Sequence, residues 1–403
     1  MIPSYNDFPG APEMIEREMT PCVKAVFKKY PVVTITGPRQ SGKTTLVKHL
    51  FGDKPYVNLE QLENREFAKS DPRGFLRPLR EGAVIDEIQR APELLSDIQA
   101  LIDERRKNGM FVLTGSAQFE LMRGISQSLA GRTALLKLLP FSLSELSGRA
   151  SFPGGTGEMM HKGFYPRVYD QDLEPARAYA DYFETYIERD LRQIVAIKNL
   201  TAFQKFVRLC AGRIGQLVNL SGLGSDAGVS HTTAREWLTL LEASFIVFLL
   251  EPYHANIRKR LVRSPKIYFY DVGLAAYLLG IESRAHLKHH PLRGNLFENM
   301  VLMEFLKYRF NRGLGNNLSF FRDRTGHEID ILYAVADKLL AVEVKSGETV
   351  IGDFFKGFPY FENTLKGRTL GKALVYGGDR RETRSGIRIT DVFGIKTLLD
   401  EFA

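Results

Sequence analysis

Gly37-Pro38-Arg39-Gln40-Ser41-Gly42-Lys43-Thr44 is the stretch on which the reading of this chain turns. It satisfies G-x-x-x-x-G-K-[ST] at every fixed position. It also lies between a β-branched run, PVVTITG (31–37), and a helix-forming one, KTTLVKHLFG (43–52). That strand–loop–helix setting is what the motif needs. Glycines let successive backbone N–H groups curl round phosphate oxygens at a helix N-terminus, whose partial positive charge favours anions. A glycine-containing turn that matched by chance would lack the setting. The pattern assigns Gly37, Pro38, Arg39, Gln40, Ser41, Gly42, Lys43, Thr44 and Thr45 to ATP. Lys43 is expected at the β- and γ-phosphate oxygens, and the Thr44 hydroxyl at Mg²⁺.

Downstream, GAVIDE (82–87) is an apolar strand ending in two carboxylates. Asp86 at its tip is placed to hold the magnesium through water, and Glu87 to polarise an attacking water. An acid pair at a strand tip suits an activated water better than a bound acceptor, which sets hydrolysis above phosphoryl transfer to a small molecule. FVLTGSA (111–117) brings Thr114 and Ser116 to another strand end, where open α/β sheets face their ligands. With PYVNLE (55–60) as a further strand and APELLSDIQALIDERRKN (91–108) as an amphipathic helix, the first segment reads as a parallel α/β sheet.

The chain has 403 residues, more than one core usually supports, so two or three domains are expected. Residues 1–160, 161–285 and 286–403 are the expected units. The breaks fall at the Gly/Ser/Pro-rich Ser147–Gly163 and the polar Glu282–Asn295. A net charge of +8 is compatible with a polyanion such as DNA. The two cysteines, Cys22 and Cys210, exclude a disulfide framework and a cysteine-based zinc site. They fit a reducing compartment. The opening MIPSYNDFPGAPEMIEREM lacks the basic and apolar regions of a signal peptide, and the apolar run Phe245–Leu250 is far too short for a bilayer. A cytoplasmic protein without membrane contact is expected.

In the middle segment FQKFVRLCAGRIGQLVN (203–219), LSGLGSDAG (220–228) and VSHTTAREWLTLLEASFIV (229–247) read as three helices, with Ser230 as N-cap of the third. IVFLLEPY (246–253) and KIYFYD (266–271) then flank a basic turn. Three helices and a hairpin outline a winged helix. His231, Thr232, Thr233 and Arg235 would face a major groove, and Arg258, Lys259, Arg260 and Arg263 would grip phosphates. Such modules dock proteins as readily, so a protein partner stays open beside DNA.

Near the C-terminus, GNLFENMVLMEFLKYR (294–309) reads as an amphipathic helix carrying Glu298. FFRDRTGHEIDILYAV (320–335) reads as a hairpin entering Asp330. LLAVEVKSG (339–347) reads as a strand with Glu343 and Lys345 on one face and Val342 and Val344 on the other.

Two resemblances follow. GPRQSGKTTL (37–46), VIDEIQ (84–89), FVLTGS (111–116), SLAGR (128–132) and LLPFSLSEL (138–146) resemble the AAA+-type ATPase domain of a prokaryotic family. In that family the domain is joined to a C-terminal region of unknown function. YPRVY (165–169), TYIERDL (185–191), SPKIYFYDVGL (264–274) and GNLFEN (294–299) extend the likeness over nearly the whole chain. It implies an AAA+-like fold, Ser116 as a sensor and Arg132 as a phosphate-sensing arginine, with Arg123 and Arg189 competing. The oligomeric state stays open between a ring, a dimer and a monomer. The E…D…ExK pattern resembles the PD-(D/E)XK nuclease fold. There Asp330 and Glu343 would hold a second divalent metal, Lys345 would act on water, and Glu298 would be the helix acid. The expectation is an α/β chain built as an AAA+-like ATPase domain, a winged-helix-like middle and a PD-(D/E)XK-like end. It would couple Mg-ATP hydrolysis to conformational change on DNA or a DNA-bound partner. The alternatives are a nucleotide-gated nuclease and a nucleotide-switched binding protein with little turnover.

Overall fold

The computed structural model describes residues 14–116, 128–148, 152, 154–188, 197, 199–253 and 263–402. The N-terminal sheet holds β1 (Val32–Thr36), β2 (Tyr56–Asn58), β3 (Val84–Asp86), β4 (Phe111–Gly115) and β5 (Thr133–Lys137). They run parallel in the order β2-β3-β4-β1-β5. Parallel pairing sends each connection across a face of the sheet, so both faces are covered and the strands are apolar throughout. β1, β3 and β4 are buried at every position. On one face α1 (Thr20–Phe27) and α2 (Lys43–Leu50) pack Met19, Val23, Leu46 and Val47 against Val33, Ile35, Val84 and Val112. On the other, α3 (Leu94–Arg105) packs Leu94, Leu95 and Ile98 against Val32, Ile85, Phe111 and Leu113. β5 is the strand that periodicity does not announce. It is a half-buried edge, and its alternation is too short to stand out from the flanking loops.

The middle segment forms α4 (Leu200–Ala211), α5 (Leu220–Ala227) and α6 (His231–Ala243), then an antiparallel hairpin of β6 (Val247–Leu250) and β7 (Lys266–Phe269). The order of elements is the expected one. Ser230 caps α6 by accepting the Thr233 N–H at 3.1 Å. Trp237 meets Phe203 and Phe206 edge-on, with ring centroids 5.2 and 5.5 Å away, which locks α4 to α6.

The C-terminal sheet contains β8 (Leu318–Arg322), β9 (Glu328–Val335), β10 (Lys338–Lys345), β11 (Thr369–Tyr376), β12 (Glu382–Arg384) and β13 (Ile387–Thr390). Its order is β12-β13-β11-β10-β9-β8. β10, β11 and β13 are parallel to one another, and the outer strands pair antiparallel. Beneath it runs α7 (Arg293–Asn311). The amphipathic reading of this helix needs correction. From Leu296 to Asn311 nearly every side chain is buried, including Asn299, Glu304, Lys307 and Asn311. The helix can be buried all round because those polar groups find partners inside the molecule.

One hydrophobic core contains Leu139, Phe141, Phe203, Trp237, Ile267, Leu296, Phe305, Val342 and Leu399. The composition break at Glu282–Asn295 is therefore no break in packing: residues Arg284–His289 form a short helix whose Leu287 is fully buried. Among the described residues no helix is long and apolar enough to cross a membrane.

Asn299 fastens α7 to β7 by accepting the Phe269 N–H at 2.7 Å and donating to the Phe269 carbonyl at 3.0 Å. Asn299→Leu strands both backbone groups in a dry interior and should cost roughly 2–6 kcal/mol. Ser230→Ala loses one exposed cap and should cost about 1 kcal/mol. Urea midpoints of the two variants test this order of sensitivity.

Candidate active site

The candidate site lies at the C-terminal ends of β1, β3 and β4. β1 ends at Thr36 and the chain turns into the loop through Gly37 at φ 150°. A Cβ there would lie 2.1 Å from the Leu138 carbonyl oxygen, so only glycine fits. Gly42 closes the loop at φ 90°, and α2 starts with Lys43. The Lys43 ammonium is turned inward onto its own loop, donating to the carbonyls of Gly37 at 3.0 Å and Pro38 at 2.7 Å. Burial lowers its pKa to about 8, against the upward pull of Glu87 and Asp86. Among the described residues the buried Ser41 hydroxyl has no hydrogen-bond partner.

Asp86 is buried at the tip of β3, and both its oxygens are held. Oδ2 accepts from the Thr44 hydroxyl at 2.8 Å and from the Tyr56 phenol at 2.6 Å, while Oδ1 accepts from Thr114. Burial pushes the Tyr56 pKa up, and the bond to Asp86 adds to that, so the phenol stays a donor at neutral pH. Glu87 has a left-handed backbone, φ 59°, which turns its carboxylate away from the strand line. Its N–H donates to the Thr114 hydroxyl at 3.2 Å, and its Oε2 accepts from Ser116 at 3.0 Å and from Gln89. Thr44, Asp86, Glu87, Thr114 and Ser116 are thus linked through hydrogen bonds at one end of the sheet. Tyr56 and Gln89 join them without any sequence signal.

A cavity of about 570 Å³ opens over the loop, bounded by Arg39, Lys43, Thr44, Glu87, Pro166 and Asp170. A smaller apolar recess of about 50 Å³ adjoins it behind Gly42 and Thr45, lined by Met14, Ile15, Leu46, Phe141 and Pro166. Arg39 and Glu60 approach to 3.7 Å at the mouth. Arg17 was not foreseeable from any motif. Its buried guanidinium donates to Ser41 O at 2.7 Å, Leu139 O at 2.6 Å and Glu145 Oε1 at 3.0 Å.

The structure does not bring Arg132 to this site. It precedes β5, at the sheet end opposite the loop, and forms an exposed fork with Asp103 at 2.7 and 2.9 Å. The competing Arg123 and Arg189 lie outside the described residues, as do Arg258, Lys259 and Arg260 of the basic turn. His231, Thr232 and Arg235 are exposed on α6. Arg263 is exposed just before β7.

A second polar cluster unites α7, β9 and β10. Lys345 Nζ lies 3.0 Å from Asp330 Oδ2 and 2.6 Å from Glu343 Oε2, and the Val344 N–H donates to Asp330 at 2.7 Å. Glu298 is occupied from elsewhere, by Lys266 at 3.1 Å and by the Tyr268 phenol. Burial, then Asp330, pushes Glu343 up to about 8. Burial also raises Glu298. Burial works to raise Asp330 as well, but Lys345, Lys266 and the Val344 N–H more than reverse it.

The donor sets of the two clusters differ in their fit to a metal. At the loop, Thr44 and Asp86 offer a hydroxyl and a carboxylate beside an unpaired buried hydroxyl, a set that fits Mg²⁺ bound with a triphosphate. Asp86 is held by neutral hydroxyls, whereas at the second cluster Glu298, Asp330 and Glu343 are paired with the ammonium groups of Lys266 and Lys345. Among the described residues no group of three or more His, Cys, Asp or Glu is arranged to hold a metal ion. Where the expected second metal would sit, Asp330 and Glu343 hold the Lys345 ammonium instead.

Residues 29–147 match the model of an AAA domain, which identifies this part as an AAA-type P-loop ATPase domain. Residues 156–285 and 293–398 match two domains of unknown function. Uncharacterized proteins of Mycobacterium bovis and Mycobacterium tuberculosis are each 30% identical over 335 residues, covering 83% of this chain and 74% of theirs. The chain belongs to the family of these two proteins. Among solved structures, the Walker-type ATPase of Pyrococcus abyssi is 15% identical, with a TM-score of 0.45, over 68% of this chain and 99% of its own. This chain thus joins an AAA-type ATPase domain to two C-terminal domains of unknown function.

The depressed Lys43 pKa gives the site a proton signature. Without nucleotide, about half of Lys43 is neutral at pH 8. Phosphate oxygens favour the ammonium, so binding at that pH should take up about half a proton, falling towards zero by pH 6. Affinity should weaken as pH rises above 8. Calorimetry in buffers of different ionisation enthalpy measures the uptake, which Lys43→Met should remove.

Proposed function

We propose that the chain hydrolyses ATP and uses the nucleotide state to reposition its C-terminal half, acting on DNA or a DNA-bound partner. The observation that carries the reading is Arg17. One buried guanidinium holds the loop carbonyl of Ser41, the Leu139 carbonyl beyond β5 and the Glu145 carboxylate. A few residues from these, the Leu143 N–H and the Phe141 carbonyl are held by Glu304 and Lys307 of α7. A change in the phosphate loop therefore has a direct mechanical route to the helix under the C-terminal sheet.

In this reading Lys43 leaves the Gly37 and Pro38 carbonyls for the β- and γ-phosphate oxygens, regaining full charge. Thr44 and Asp86 would hold a magnesium ion, which would supply charge neutralisation at the phosphate oxygens. Tyr56 and Thr114 fix the Asp86 carboxylate. Glu87, oriented by Ser116 and Gln89, takes the proton of the attacking water as its oxygen bonds the γ-phosphorus and the bridging bond to the β-phosphate breaks. The recess at Met14, Ile15, Phe141 and Pro166 offers an apolar wall against which a face of the adenine would lie. The exposed row His231, Thr232 and Arg235, the +8 net charge and the helix–hairpin order support DNA as the polymer contacted.

Phosphate release measured with and without DNA, with DNA integrity read in the same tube, tests the proposal. Lys43→Ala should abolish turnover. Glu87→Gln should lower it about 100-fold while ATP still binds. DNA should raise the wild-type rate and stay uncut. ATP binding without phosphate release, with or without DNA, would instead favour a nucleotide-switched docking protein. An unchanged rate in Lys43→Ala would remove the loop from the chemistry altogether.

A further inference from the structure

Lys266 belongs to neither motif, yet it is one of the most thoroughly enclosed charges in the molecule. It opens β7, pairing with Leu250 across the hairpin and bridging to Leu217. Its side chain is 3% exposed and reaches out of the middle segment towards the C-terminal sheet. There Nζ lies 3.1 Å from Glu298 Oε1, contacts Glu328 Oε1, and sits 5.4 Å over the Phe320 ring. The neighbouring groups are committed too. Glu298 Oε1 also accepts from Tyr268, and the other Glu328 oxygen takes Arg322 at 2.9 Å. Lys345 holds Asp330 and Glu343.

The four carboxylates Glu298, Glu328, Asp330 and Glu343 therefore face three cations, Lys266, Arg322 and Lys345. A buried ammonium requires acceptors, because leaving it unpaired costs several kcal/mol. A divalent ion would require the same carboxylate oxygens, at about 2.0–2.6 Å. One set of oxygens cannot serve both.

We propose that Lys266 is the resident cation of this carboxylate cluster. It bolts the β6–β7 hairpin to the C-terminal sheet and keeps divalent ions from Glu298 and Glu328, while Lys345 occupies Asp330 and Glu343. The pattern E…D…ExK then marks a site that the chain fills with its own side chain from a different segment. Opening it to a metal requires Lys266, and with it the start of β7, to withdraw. The inference is independent of the ATP reading, because it concerns protein without nucleotide.

Titration of Mn²⁺ into nucleotide-free protein, with free ion read from its paramagnetic resonance signal, tests the proposal. The wild type should leave the ion free through the millimolar range. Lys266→Met should take up about one equivalent, at least about tenfold tighter, and Glu298→Gln added to it should abolish the uptake. Lys266→Arg should exclude the ion as the wild type does. Stoichiometric uptake by the wild type that Glu298→Gln removes would overturn the proposal. So would a folded Lys266→Met protein, verified by circular dichroism, that gains no binding. Should that variant not fold, Lys266→Met with Glu328→Gln removes both ends of the buried pair and is read by the same two outcomes.

Discussion

Two charges that never meet solvent hold the halves of this molecule in register. Lys307 on α7 donates to Glu304 at 2.8 Å and to the Phe141 carbonyl at 2.7 Å, and the other Glu304 oxygen accepts the Leu143 N–H at 2.9 Å. Burial pushes the Glu304 pKa up, and Lys307 with the Leu143 N–H works against that shift. Such a pair adds little net stability over apolar packing, but removing one partner leaves an uncompensated buried charge worth about 3–5 kcal/mol. Its contribution is positional. The chain leaving β5 can dock on α7 in one register only, because any slip strands both charges.

Everything between the phosphate loop and the C-terminal sheet hangs on that register. Arg17 reaches Ser41, Leu139 and Glu145 because the segment 139–146 is pinned. Glu18 extends the same network, accepting from Ser144 at 2.8 Å and from Asn311 at the far end of α7 at 3.2 Å. At the near end of α7, Asn299 holds β7 and Glu298 holds Lys266. The helix is thus gripped along its length by three segments remote in sequence. Its burial on all sides follows from this, and so does the shared core that crosses the expected boundary near residue 285.

What was legible in the sequence was local. The loop from Gly37 to Thr44 is recognised by spacing because its function is performed by consecutive backbone groups. Glu343 and Lys345 were placed correctly because a strand alternates, and Ser230 because a cap acts three residues ahead. Arg17, Lys266 and Lys307 were not legible. The partners of Arg17 and Lys266, and the Phe141 carbonyl that Lys307 holds, lie 24 or more residues away, and no periodicity records whether an Arg or Lys meets water or a buried acceptor. Arg132 shows the converse. Its neighbours in SLAGR resemble a family segment, but a residue at the start of a parallel strand lies at the wrong end of the sheet for its own loop.

The two charge clusters answer differently to one physical question: whether a buried polar group is satisfied without a ligand. At the phosphate loop it is not. Among the described residues the Ser41 hydroxyl has no partner, and burial depresses the Lys43 pKa while its ammonium rests on carbonyls of its own turn. An anion there would supply what both groups lack, so the local cost of the empty arrangement is returned on binding. At Glu298, Asp330 and Glu343 the demand is met internally. Burial works to lower the Lys266 pKa, but the carboxylates of Glu298, Glu328 and Asp330 more than reverse it, so its charge is secure. A ligand arriving there would have to break bonds before making any. The first arrangement has the energetics of a binding site and the second those of a fastening, although both contain the acids and lysines from which sites are usually inferred.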